Sequence, residues 1–95
     1  MKHPITGALI AFNCPMSLLS PHDMETIERS GYEDEFQLTE PSFICVEKDV
    51  GLLIDKKVAR SLYDASPSIY YNILFTRGSG WINSQWVRHP YCKVL

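Results

Sequence analysis

No apolar run in this chain approaches the ~18–20 residues that a membrane-spanning helix requires, which argues against a helical membrane protein. With five glycines and six prolines in 95 residues and no strict period, the chain is neither collagen-like nor dominated by linkers. Cysteine is scarce: Cys14, Cys45 and Cys92 are an odd number at wide spacing, a poor disulfide framework and the pattern of a reducing compartment. The opening Met1-Lys2-His3-Pro4 leads only into the short apolar stretch Ala8 to Phe12, too brief for a secretory signal, so an unprocessed cytoplasmic protein is expected. What remains is ordinary globular usage, 45% hydrophobic and 21% charged, enough for one core and one domain over 1–95.

Acidic residues are also missing in one place: none follows Asp64. The formal net charge of −2 hides a split. Residues 1–47 carry Lys2 and Arg29 against eight acids, a balance of −6, whereas residues 48–95 carry seven basic side chains against Asp49, Asp55 and Asp64, a balance of +4. Such a chain either neutralises itself on folding or presents faces of opposite sign to partners.

Local patterns give an α+β outline. Gly7 to Asn13 is short and apolar and reads as a buried strand. Ser20-Pro21-His22-Asp23 opens a helix over about 21–30: serine caps, proline suits the first turn, and Gly31 stops it. Phe36 to Thr39 alternates, and Ser42 to Val46 is rich in strand formers. Lys48 to Gly51 reads as a turn, with Leu52-Leu53-Ile54 pairing back. Asp55 then caps a second helix, because Val58, Ala59, Leu62 and Tyr63 share one helical face up to about Ser66. Ile69–Thr76 and Trp81–Val87 are expected to pair as a hairpin through Arg77-Gly78-Ser79-Gly80. The alternative for this stretch is a third helix opened by Ser66-Pro67, with Ile69, Tyr70, Ile73 and Leu74 on one face.

Two motifs carry family resemblances. Cys14-Pro15-Met16-Ser17, between a predicted strand and a helix, resembles the C-x-x-S site of monothiol glutaredoxins, and Thr39-Glu40-Pro41 resembles that family's strand entry. The resemblance implies a thiolate stabilised by a helix N-terminus. Only 26 residues separate Cys14 from Pro41, too few for the strand and helix that family places between them. The plainer role for Cys14 is a small apolar residue ending a strand. Separately, Asp55 to Leu62 followed by Ser66-Pro67-Ser68-Ile69-Tyr70 resembles a helix-turn-helix, and the 77–80 turn would supply the wing of a winged-helix nucleic-acid binder spanning 55–88. Tyr63 and Asp64 depart from that pattern, standing where a glycine and an apolar residue are usual.

His89 and Cys92, with Cys14 and His22, offer four soft ligands, but zinc sites of paired motifs show two close pairs and only one is present. No metal, cofactor or catalytic residue is expected. Tyr70, Tyr71, Phe75, Trp81, Trp86 and Tyr91 are six of eleven aromatics, gathered among basic residues, the composition of an interface core.

The sequence therefore predicts an α+β domain: a mostly antiparallel sheet of four or five strands with two helices packed on it. The function expected first is a small non-enzymatic cytoplasmic binding module, a regulator or inhibitor of another macromolecule, a class that includes inhibitors of the mobile-element or anti-defence type. Its expected partner is a protein or protein complex. The expected partner-binding residues are the acidic run Glu33, Asp34 and Glu35 together with Tyr70, Tyr71, Arg77, Trp81, Trp86 and Arg88. Nucleic acid is the second partner class, through the winged-helix reading, and a thiol redox protein using Cys14 the third.

Overall fold

Among the described residues, strand-forming stretches in period-two alternation build most of the structure, interrupted by a capped helix. The computed structural model describes residues 5–30, 43–45, 47–59 and 68–95. Its elements are β1 (Leu9–Phe12), β2 (Met16–Leu18), α1 (Pro21–Ser30), β3 (Phe43–Cys45), β4 (Val50–Ala59), β5 (Ser68–Phe75), β6 (Gly78–Asn83), a 3₁₀ turn (Ser84–Trp86) and β7 (Cys92–Val94). A five-stranded sheet has the order β6-β5-β4-β1-β7, antiparallel throughout, and β2 and β3 form a separate antiparallel ribbon. Reciprocal backbone bonds between Leu19 and Trp81, 2.7 and 2.9 Å, fasten the end of β2 to β6.

Both faces of the sheet are covered where the aromatics lie. On the inner face Ile10, Phe12, Leu53, Tyr71, Ile73, Phe75, Ile82 and Cys92 pack with Leu18 of the ribbon and with Val87. Phe12 and Phe75 meet at 5.5 Å in a tilted ring contact. On the outer face α1 lays Met24 and Ile27 over Ala59, Tyr70 and Trp81. Tyr70 and Tyr71 thus point to opposite faces, as a strand requires, yet both are buried.

The helix forms where the sequence places it. The Ser20 hydroxyl accepts from the Asp23 N–H at 3.1 Å, a serine N-cap satisfying an otherwise orphaned donor. Lys57 ties the helix to the sheet: its ammonium donates to Glu28 at 2.9 Å and stands 5.3 Å from the centre of the Trp81 ring.

The second helix is corrected. Residues 55–59 continue β4, paired with β5 from Asp55↔Asn72 to Ala59↔Ser68. The strand carries a bulge between Leu53 and Asp55, and beyond it Val58 and Ala59 are successive strand residues on opposite faces, Val58 exposed and Ala59 buried, rather than two positions of one helical face. One helix, not two, therefore packs on the five-stranded sheet among the described residues. The remainder of that expected helix, 60–66, the expected strand 36–39 and the expected helix stop Gly31 lie outside the described residues.

Pairing also differs in detail. β4 does not turn back on β3; it lies between β1 and β5, while β3 pairs with β2. Gly51 is a strand residue, and its reason is packing. A Cβ there would overlap Ile73 Cγ2 and come within 2.9 Å of the Phe75 ring. The expected hairpin forms in part: Phe75↔Gly78 closes it around Thr76 and Arg77, so Gly78 to Gly80 belong to β6 and not to the turn, and the second strand ends at Asn83 instead of Val87, with Ser84–Trp86 a 3₁₀ turn. Because 50–59 and 68–75 are strands, neither described part of the helix-turn-helix resemblance is helical. Among the described residues no helix is long and apolar enough to cross a membrane.

Candidate functional site

The inner core opens at one end into a cleft of about 320 Å³ lined by Cys14, Pro15, Met16, Ser17, Ile82, Trp86 and Tyr91. Local sequence builds each wall. Pro15, lacking an N–H, follows the loop that ends β1, and β2 then resumes the chain with Met16 turned to the core. Opposite, Asn83 caps the 3₁₀ turn: its side-chain oxygen accepts from the Gln85 N–H at 3.0 Å, and the Val87 N–H closes on the Ser84 carbonyl at 3.0 Å. That turn projects Trp86, whose ring meets Tyr91 edge-on at 5.2 Å. The two walls are tied across the chain by Asn13, whose backbone N–H donates to the Tyr91 carbonyl at 2.8 Å and whose side-chain amide donates to the Pro90 carbonyl at 3.1 Å.

The chemistry of this lining is that of contact. Among the described residues that line it, the titratable groups are the Cys14 thiol and the Tyr91 phenol, with no carboxylate, imidazole or cationic side chain beside them. Among the described residues no group of three or more His, Cys, Asp or Glu side chains is placed to hold a metal ion, so Cys14, His22, His89 and Cys92 are not gathered into one site. Cys14 is half-buried and precedes a strand, with α1 starting only at Pro21, so the helix N-terminus implied by the glutaredoxin resemblance is not beside it. Neither Cys14 nor Cys92 is in a disulfide, and Cys92 is buried.

The residues expected to meet a partner separate into groups. Tyr70, Tyr71 and Trp81 are core, with Trp81 only 5% exposed. Trp86 is 40% exposed and sits on the cleft, and Arg88, two residues on, is exposed. Arg77 lies at the opposite end of β6 and donates to Asp49 at 2.6 Å. Glu33, Asp34 and Glu35 lie outside the described residues. The Glu28–Lys57 pair joins the acidic and basic halves of the chain, so part of the charge split is used internally. Cys14-Pro15-Met16-Ser17 stood out in the sequence only for its thiol, not as the wall of a cleft, and Ile82 belonged to no motif; the proline-marked breaks at Cys14-Pro15 and His89-Pro90-Tyr91 hint at the walls.

No protein-family model matches the chain, and no curated protein sequence and no solved structure matches it either.

Proposed function

We propose that this chain is a non-enzymatic binding module, a regulator or inhibitor that grips an apolar segment of a partner protein in the Trp86–Tyr91 cleft. The observation that carries the reading is the cleft's lining: two aromatic rings set edge to face, a thioether, a proline and an isoleucine, with no carboxylate or cationic side chain among the described lining residues. A half-exposed tryptophan over an apolar hollow is the composition of an interface anchor, and Arg88 beside it offers a charged rim.

Selection of a random peptide library on the wild-type chain, with Trp86→Ala as counter-selection, tests this. Apolar peptides should be enriched, should shift the tryptophan fluorescence, and should bind Trp86→Ala about 30-fold more weakly, a loss of about 2 kcal/mol. The Trp86→Ala chain should remain folded, whereas Trp81→Ala should lose about 3–5 kcal/mol of stability. Peptides that bind both the wild type and Trp86→Ala equally, or no enrichment at all, overturn the reading.

A further inference from the structure

The outer face of the sheet is covered by α1 at one end only. At the other end the register aligns one residue type across four strands. Leu9 stands opposite Leu52, and Leu52 opposite Leu74. The Leu95 N–H donates to the Leu9 carbonyl at 2.8 Å, continuing the Ile10↔Val94 pairing of β7. Leu95, Leu9, Leu52 and Leu74 thus form a row at right angles to the strands, 62%, 46%, 37% and 44% exposed. Their alternation partners Ile10, Leu53 and Ile73 fill the inner core, which places the row on the outer face. Val50, paired with Ala11, and Ile54 at the bulge flank it and are also exposed. The exposed area of these six side chains is on the order of 500 Å², the size at which an apolar patch marks an interaction surface.

We propose that this row is a homodimer interface and that its occupant is the same row of a second copy. The row is nearly symmetric about the gap between β1 and β4. A two-fold axis in the interface plane, parallel to the strands and passing through that gap, sets Leu9 against Leu52 of the other copy and Leu95 against Leu74. Every contact is then leucine on leucine, the self-complementarity an isologous interface needs. The two sheets pack face to face, about 10 Å apart. Among the described residues no ionised side chain interrupts the row, and Lys93 and Asp55 stand at its margins. A standard interface takes about 800 Å² from each partner, and the row is large enough to form the apolar centre of one. The dimer leaves the Trp86 cleft accessible, because that cleft opens from the inner core.

Sedimentation equilibrium of the full chain from about 5 µM to 1 mM, with Leu9→Thr/Leu52→Thr and Leu52→Lys variants, tests the proposal. The wild type should reach twice the 10.9 kDa chain mass. Each variant should weaken association at least 30-fold with an unchanged far-ultraviolet spectrum, and Trp86→Ala should dimerise as the wild type does. Concentration-dependent amide shifts in the wild type should map to β1, β4, β5 and β7, which keeps the test decisive even where a variant unfolds. A monomer at every concentration, shifts confined to other elements, or a dimer indifferent to the threonine pair overturns the proposal. Its failure leaves the peptide-binding test untouched, since the two surfaces share no residue.

Discussion

Gly51 shows how tightly single positions are set. It stands opposite Ile10 in β1, with Ile73 and Phe75 filling the space a side chain would take. Gly51→Ala should therefore cost about 2 kcal/mol through overpacking, read as a lower urea midpoint at unchanged slope. A shift smaller than about 0.5 kcal/mol would mean that Ile73 and Phe75 can move aside. The same glycine reads from sequence as part of a turn, because a glycine kept for close approach and one kept for a bend look alike when only neighbours in the chain are known. The aromatics pose the same problem. Trp81 and Trp86 have similar local surroundings, and only the placement of α1 over β6 separates the buried ring from the half-exposed one.

At the scale of elements, α1 is held by a cap, an apolar stripe and one ion pair. Removing the cap with Ser20→Ala should cost about 1 kcal/mol. The loss should show first as faster amide exchange in residues 23–26, and exchange unchanged across α1 would contradict the role given to the Ser20 hydroxyl. This helix was legible because its signals are local: serine, proline and aspartate in four residues, then apolar positions at Met24 and Ile27. β1, β3 and the β5–β6 hairpin were legible for similar reasons, from β-branched and aromatic density. β4 was not, beyond Ile54. Its alternation runs correctly through Val50, Gly51, Leu52 and Leu53, then slips by one residue at the bulge, and Lys56 to Ala59 afterwards resembles a helical turn. Pairing with β5, a long-range fact, overrides that local preference. The cleft was the least legible feature, since its walls come from 14–17 and 82–91 and are brought together by long-range contacts such as the Asn13 hydrogen bonds to Pro90 and Tyr91.

The molecule as a whole is a small α+β domain whose sheet is buried on both faces at one end and bare on one face at the other, and its response to alkali follows from what is buried where. Burial pushes the Tyr71 phenol above the ordinary tyrosine range. The hydrogen-bonded Glu28 carboxylate, with further help from Asp55 and Glu25, holds the Lys57 ammonium above the ordinary lysine range despite partial desolvation. Both groups keep their protons longer folded than unfolded, so both favour the folded state fully below about pH 10, the unfolded range, and that advantage is lost as pH rises through the folded values. Lys57 is largely solvated, and its share is a few tenths of a kcal/mol at most. Tyr71 is almost fully enclosed and should dominate. The thermal midpoint should therefore be flat from about pH 8 to pH 9.5 and fall above about pH 10. Tyr71→Phe should remove most of that fall, because no phenolate is left to expel from the inner core, and Lys57→Met should remove only a small part. A Tyr71→Phe chain that loses stability above pH 10 as steeply as the wild type would show that the alkaline transition begins outside the inner core, at the charged surface that joins α1 to β4.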